Sequence, residues 1–246
     1  MMVFLTALCM CVSMFTVLPT PKMPWNEELK PLRTACLPIA GLLIGALWLG
    51  FAYLVRWLLP HALSSAAIAA APMALTGFMH IDGFMDTADA LMSWRDRDEK
   101  LRILKDVHAG SFAVILAGLL LLFQFAACMS INRLFSLLLI PVVSRVGSAY
   151  CVLRLPALGH SQYAQDAQPR VSKSLSYIVL GVGALALLLM LIFGSWRALL
   201  AGCAAAAGYA IAMWRCVKAL GGVSGDLAGF SLVISELCGL IVLAIV

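Results

Sequence analysis

Residues 80–112 read H-I-D-G-F-M-D-T-A-D-A-L-M-S-W-R-D-R-D-E-K-L-R-I-L-K-D-V-H-A-G-S-F and hold seven of the chain's twelve acidic residues. Asp82, Asp86 and Asp89 are spaced i, i+4, i+7, so a helix would place their carboxylates on one face. Like charges on one stripe repel each other unless a cation lies between them, and carboxylate oxygens suit Mg²⁺. The spacing therefore predicts a magnesium site. The alternative is a solvated, charged loop between membrane helices.

The rest of the chain is strongly apolar. Hydrophobic residues make up 63% of the 246 residues and charged residues 12%. This composition indicates an all-α integral membrane protein, a single membrane-embedded domain over residues 1–246, rather than a soluble one. No basic run with interleaved aromatic residues is present, so we expect no nucleic-acid partner. The eight cysteines include no C-x-x-C pair and lie mostly in apolar runs, which favours buried packing over metal binding.

Apolar runs predict the membrane spans. A polytopic helical bundle of about seven transmembrane helices follows from the runs at about 35–59, 62–79, 112–132, 134–153, 174–193, 198–214 and 230–246. Residues 1–18 are also apolar but barely reach the length of a span, so their depth in the membrane stays open. The acidic stretch, residues 154–173 and residues 215–229 are expected as polar connections.

The basic residues predict the orientation. If the acidic stretch is cytoplasmic, thirteen Lys and Arg residues lie in cytoplasmic segments and three (Arg56, Arg133 and Arg197) lie on the opposite side. The positive-inside rule therefore places the three polar connections in the cytoplasm, beneath a cell inner membrane. This is the side on which nucleotides are found.

Further candidate site residues flank the acidic stretch or lie within spans. His80 and His108 are candidates for a base or phosphate partner, or for hydrogen-bonded structural histidines. Lys105 is a candidate phosphate or ion-pair partner. Arg145 falls inside a span and is expected to pair with a carboxylate of the Asp cluster or with a substrate phosphate. Glu236, near the start of the last span, is expected to be functional or paired inside the bundle.

A glycine-rich turn precedes another carboxylate. In G-G-V-S-G-D, the backbone N–H groups around Gly221, Gly222 and Gly225 could form an anion-binding nest next to Asp226. A helix cap followed by a turn would explain the same pattern. In the acidic stretch, Gly83 predicts a close approach of backbone or substrate to the Asp82 face, or else a helix N-terminal turn.

Several motifs together resemble the cobalamin synthase family. The runs that carry the resemblance are G-F-M-H-I-D-G-F-M-D-T-A-D-A, L-R-I-L-K-D-V-H-A-G-S-F, F-T-V-L-P-T-P, L-P-I-A-G-L-L-I-G and G-G-V-S-G-D-L-A-G. The similarity spans most of the chain. Two positions depart from the family pattern: Val17 stands where many members have Arg, and Val233 where many have Glu.

The resemblance implies the reaction and its residues. It implies condensation of adenosylcobinamide-GDP with α-ribazole or its 5′-phosphate, giving adenosylcobalamin or its phosphate and GMP. It also implies Mg²⁺ as cofactor, with Asp82, Asp86, Asp89 and Asp106 as metal ligands. These four and Asp226 are the candidate catalytic residues, and which carboxylate acts as base stays open. The lipid bilayer, a second copy of the chain and other cobalamin-assembly enzymes are the expected partners.

Two other functions share some of these features. A phospholipid-type phosphotransferase acting on a nucleotide-diphosphate alcohol would use a similar carboxylate cluster. Such an enzyme would carry A-R after the first D-G, whereas Phe84 and Met85 follow here. A cation-coupled transporter would place acids near span midpoints, whereas here they concentrate in one stretch.

Overall fold

A computed structural model describes residues 2–159 and 173–246. Over these residues the chain is helical, and its one strand-like feature is an isolated parallel bridge between Ala157 and Val223. The α-helices, in chain order, are α1 Met2–Phe15, α2 Lys30–Ala35, α3 Leu37–Leu58, α4 His61–Leu75, α5 Met79–Met92, α6 Arg97–Ile103, α7 Ser111–Ser130, α8 Ser136–Arg154, α9 Lys173–Leu189, α10 Trp196–Leu220 and α11 Gly225–Ile245.

Six helices are long and apolar enough to cross a membrane. They are α3, α7, α8, α10, α11 and α9 with the π-helical turn Met190–Gly194 that continues it. A seventh span is possible if α4 and α5, which meet at an angle of 89°, together form a broken one. Helix α1, with 14 residues, is too short to count among them. The predicted all-α membrane fold is confirmed.

The bend between α4 and α5 was not expected. The span predicted at 62–79 ends at Leu75, because Gly77 and Phe78 both adopt the left-handed conformation (φ 60° and 62°), which α4 cannot continue through. The backbone N–H of Val17 donates a hydrogen bond to the Leu75 carbonyl at 3.0 Å, so the N-terminal segment supports the end of α4. The acidic stretch then begins as a helix of its own, rather than as a loop.

The helices differ in how much protein surrounds them. Helix α8 is the most enclosed of the candidate spans. Within an apolar stretch of 18 residues, 72% of the α8 residues are buried by the rest of the protein, compared with 28% in α7 and 22% in α9. Helix α3 packs closely on α8 because Gly41 and Gly45 leave room for the α8 backbone at Pro141 and Leu138. Helices α8 and α11 therefore form the centre of the bundle, with α7 and α9 towards the lipid.

The connection between α10 and α11 is shorter than predicted. Helix α10 runs to Leu220, beyond the predicted limit at 214, and α11 begins at Gly225 rather than at 230. Ser224 ends the turn, since its hydroxyl accepts the Leu227 N–H as an N-cap at 3.3 Å. Most of the polar segment expected at 154–173 lies outside the described residues.

Candidate active site

Helix α5 lies directly against the first turn of α11. A Cβ at Gly83 would lie 2.8 Å from the Cα of Asp226 and 3.0 Å from its carbonyl oxygen, so only glycine allows this contact. Phe84, the next residue on α5, stacks on Phe230, one turn after Asp226 on α11, with ring centroids 5.3 Å apart. The predicted close approach at Gly83 is confirmed, and the backbone that approaches is that of Asp226.

This contact brings three carboxylates together. Asp82 is exposed, whereas Asp86 and Asp226 are partly buried, and Asp86 is close enough to both to be repelled by them. The ion pairs among the described residues (Arg102 with Glu99, His108 with Asp106 and Arg145 with Glu236) include none of the three. Uncompensated like charges in contact with apolar helices are unfavourable, so the arrangement favours binding of a cation.

Asp89 has different partners from its neighbours on α5. Its buried carboxylate accepts the backbone N–H of Gly110 at 2.5 Å and that of Ala113 at 2.9 Å. These groups belong to the first turn of α7, whose N–H groups need acceptors and favour negative charge. A Cβ at Gly110 would lie 2.6 Å from Asp89 Oδ1, so the glycine makes room for the carboxylate. Asp89 therefore joins α5 to the start of α7.

Asp106 also lies apart from the other carboxylates. It is exposed in the turn before α7, where His108 donates its backbone N–H to Oδ1 at 3.0 Å and places ring Nδ1 at 2.8 Å from the same oxygen. These hydrogen bonds, the side-chain one first, lower the pKa of Asp106 below its ordinary value. The neighbouring Lys105 is likewise exposed.

The predicted four-aspartate metal set is not assembled by the described residues. Within residues 2–159 and 173–246, no three or more His, Cys, Asp or Glu side chains are arranged to hold a metal ion by themselves. Mg²⁺ usually takes one or two carboxylates and completes its shell with water and substrate phosphates. A site in which one or two of Asp82, Asp86 and Asp226 share an ion with a bound phosphate would meet that requirement, and the cofactor stays a prediction.

Two glycines of the turn before Asp226 have backbone roles. Gly221 ends α10 with φ 92°, and its N–H bonds to the Val217 carbonyl at 2.8 Å. Arg97 Nε donates a hydrogen bond to the carbonyl of Leu220 at 2.9 Å. The Arg97 guanidinium occupies the space that a side chain at Gly221 would need, because a Cβ there would lie 2.5 Å from Arg97 Nη2. Gly222 allows the backbone of Leu158 to approach, where a Cβ would lie 2.7 Å from the Leu158 nitrogen. A phosphate-binding role for the turn stays a prediction, and of its three glycines Gly225 alone lines the cavity described below.

Arg145 pairs with Glu236 rather than with the Asp cluster. The guanidinium Nη1 and the carboxylate Oε1 are in direct contact in the centre of the bundle, with the two side chains 1% and 8% exposed. Ser144 donates to the same carboxylate at 3.2 Å, and Arg145 Nη1 donates to the Pro141 carbonyl at 3.2 Å. The expected interior pairing of both residues is confirmed, the Asp cluster was the wrong partner for Arg145, and contact of Arg145 with a substrate phosphate stays a prediction. The pair joins α8 to α11, because a lone buried charge is much less stable than a paired one.

A cavity of about 700 Å³ opens beside Asp226. Helices α2, α5, α8 and α11 contribute to its wall, with Met14, Phe15, Trp25 and Glu27 from the N-terminal segment. Its most polar lining residues are Glu27, Lys30, Arg33, His80, Ser224 and Asp226. His80 also lines the cavity, and its role as a substrate contact or as a structural histidine stays a prediction. A site of this kind, with a carboxylate on one helix and two cations on another, suits a phosphorylated molecule that also carries or attracts a cation.

Lys30 and Arg33 were not predicted as site residues. They entered only the count of cytoplasmic charges, although both are buried, 6% and 5% exposed respectively. Their spacing of i, i+3 directly after the proline-rich run at 19–24 could have been used, because it places both cations on one face of a short helix.

Comparison with known proteins gives a consistent result. A model of the family described as "Cobalamin-5-phosphate synthase" matches residues 7–244. The chain is 39% identical to the adenosylcobinamide-GDP ribazoletransferase of Clostridium perfringens (strain 13 / Type A), with all of both chains covered. It is 35% identical to the protein of that name from Clostridium botulinum (strain Alaska E43 / Type E3), over 95% of this chain and 94% of the relative. For Pseudomonas savastanoi pv. phaseolicola the identity is 32%, over 92% of each. No solved structure matches significantly.

Proposed function

Since the chain belongs to the cobalamin-5-phosphate synthase family, we propose that it condenses adenosylcobinamide-GDP with α-ribazole or its 5′-phosphate and releases GMP. The observation that carries the proposal is the contact of α5 with the start of α11, which gathers Asp82, Asp86 and Asp226. The cavity next to Asp226, with Lys30 and Arg33 in its wall, supplies the space and positive charge that a nucleotide diphosphate needs.

The reaction joins two molecules at one phosphorus. The 3′-hydroxyl oxygen of the ribazole forms a bond to the phosphorus that stays on the cobinamide, and the pyrophosphate bond to GMP breaks. The hydroxyl proton leaves with a base, for which the carboxylates near Asp226 are the candidates. The main requirement is to hold the attacking and leaving oxygens in line while the phosphate charge is neutralised.

The residues present fit a divalent cation that is shared with substrate. We propose that one or two of Asp82, Asp86 and Asp226 would hold Mg²⁺ together with a substrate phosphate, because these carboxylates repel one another and have no basic partner among the described residues. The ion, when bound, would supply charge neutralisation at the diphosphate. Asp89 supports this arrangement indirectly, since it fixes α5 to the first turn of α7.

We also propose that the cavity faces the cytoplasm beneath the cell inner membrane. The thirteen-to-three distribution of basic residues supports this orientation, and nucleotides are found on that side.

The direct test is GMP release by the protein purified in detergent. The assay supplies adenosylcobinamide-GDP with α-ribazole or α-ribazole 5′-phosphate, with and without Mg²⁺. We expect GMP only when donor, acceptor and Mg²⁺ are all present. The control donor is a cytidine-diphosphate alcohol. Nucleotide release from that donor and none from adenosylcobinamide-GDP would instead support the phospholipid-type phosphotransferase.

A further inference from the structure

Arg33 is a buried cation to which the reaction scheme above assigns no particular ligand group. It lies on α2, is 5% exposed and lines the 700 Å³ cavity. Its Nη1 is buried and has no hydrogen-bond partner among the described residues. Arg145 Nη2 also lacks a hydrogen-bond partner among these residues, but the charge of Arg145 is compensated, because its Nη1 contacts the Glu236 carboxylate. A buried guanidinium with an unused donor is costly unless a ligand completes it.

The indole ring of Trp25 covers one face of the guanidinium. The guanidinium carbon lies 4.9 Å from the centroid of the ring, which gives a cation–π contact. The Trp25 indole N–H in turn donates to the Glu27 carboxylate, so the ring is held in place. Stacking uses the flat face of a guanidinium and leaves its N–H edge available, and that edge is the part that binds phosphate in a bidentate manner.

The neighbours of Arg33 in the cavity suit an anion. Lys30 lies one turn earlier on α2, is also buried and lines the same cavity. Asp226 on α11 and Glu27 ahead of α2 also line the cavity, and their negative charge would repel a phosphate unless a cation or the α2 side chains offset it. The positive side of the cavity is therefore α2.

From these observations we propose that Arg33 binds a phosphoryl group of a substrate in this cavity, through its unpartnered Nη1. The inference rests on the proposed function for the identity of the substrate. Two phosphoryl groups have the required chemistry: the 5′-phosphate of the ribazole acceptor and the diphosphate of the nucleotide donor.

The test compares Arg33→Gln and Arg33→Lys with the wild-type protein. Lys22→Gln is the matched control, since Lys22 is exposed, lies on the same segment and does not line the cavity. The kinetic readout is the KM for α-ribazole and for α-ribazole 5′-phosphate at saturating donor. The binding readout, independent of turnover, is the Kd for GDP and for α-ribazole 5′-phosphate. Loss of a charged hydrogen-bond partner predicts about a 10- to 100-fold weakening in Arg33→Gln.

The pattern of loss identifies the phosphate. A rise in KM for the phosphorylated acceptor alone, with GDP binding intact, would assign Arg33 to the acceptor 5′-phosphate. Weaker GDP binding with equal effects on both acceptors would assign it to the donor. Arg33→Lys keeps the charge but loses the fork, so we expect a smaller loss in the same pattern. The proposal is overturned if Arg33→Gln, shown by size-exclusion chromatography to be folded, matches the wild type in every KM and Kd.

The binding assays keep this proposal separate from the proposed function. If the wild-type protein releases no GMP, the proposed reaction fails. Binding of GDP and of inorganic pyrophosphate to the wild type and to Arg33→Gln would then still be compared. Equal affinities would overturn the phosphoryl role of Arg33, and a selective loss in the variant would support it.

Discussion

Asp86 and Asp89 lie one helical turn apart on α5 but have different tasks. Asp86 faces Asp82 and Asp226, and no basic partner among the described residues compensates it. Asp89 accepts two backbone N–H groups from the start of α7. The sequence spacing could not separate the two roles. It shows that the side chains lie on one face of α5, but it does not show which neighbouring helix each of them contacts.

Substitution separates the two roles experimentally. Asp89→Ala should lower the stability of the protein by about 1–2 kcal/mol, because the first turn of α7 loses its acceptor. Asp86→Ala should leave the melting temperature unchanged or raised, since it relieves repulsion, while GMP release falls. Thermal unfolding in detergent, measured beside steady-state GMP release, checks both. A larger stability loss in Asp86→Ala than in Asp89→Ala would contradict the assignment.

Other residue-level expectations were only partly met. The interior location and pairing of Arg145 and Glu236 could be predicted from the cost of a charge within a membrane span. Their pairing with each other could not, because no local pattern relates residues that are 91 positions apart. Arg33 was overlooked for a related reason, since a cation beside a proline-rich run is normally exposed.

At the scale of the elements, the contact of α5 with α11 decides where the carboxylates meet. Gly83 allows it, since a Cβ there would lie 2.8 Å from Asp226 Cα, whereas a Cβ at Gly229 would make only ordinary van der Waals contact, 3.4 Å from the His80 carbonyl oxygen. The sequence predicted a close approach at Gly83 but not its partner. The sharp bend before α5 was missed because it depends on Phe78 adopting a conformation that is uncommon for any residue except glycine.

Gly83→Ala tests this contact. The added methyl group would push α5 away from the α11 backbone, and displacement of a reacting group by about 1 Å can lower turnover by about 10²-fold. Gly118→Ala on α7 is the matched control, because a Cβ there has no neighbour within 4 Å. We expect normal GMP release from the control and a large loss from Gly83→Ala. Equal activity of the two variants would show that the close approach is not needed.

At the scale of the whole molecule, composition and hydropathy predicted most of the architecture. All six long spans fall at predicted positions, because each is an apolar run of the length that a bilayer requires. The irregular seventh position, occupied by α4 and α5, departs from the prediction. There α4 ends at Leu75, before the predicted limit at 79. The chain then bends by 89° into α5, which carries Asp82, Asp86 and Asp89.

The orientation in the membrane is open to a labelling test. Val107, in the turn before α7, is 92% exposed, and Asn132, in the turn after α7, is also exposed. The basic-residue distribution predicts that a cysteine at Asn132 reacts with an impermeant maleimide in intact cells. A cysteine at Val107 should react only after permeabilisation. The parent protein, with its eight native cysteines, provides the background. Labelling at Val107 in intact cells would reverse the orientation.

The central claim is that carboxylates from α5 and α11 form one reaction centre. The most direct measurement is GMP release from adenosylcobinamide-GDP and α-ribazole 5′-phosphate by Asp86→Asn, Asp226→Asn and the double variant, each checked for folding by thermal unfolding. Residues that act as one unit show non-additive losses. We predict that each single change lowers turnover by at least about 10²-fold, since a shared metal contributes several kcal/mol, and that the double variant is little worse than either. Near-normal turnover in Asp226→Asn, or losses that simply multiply in the double variant, would contradict the account.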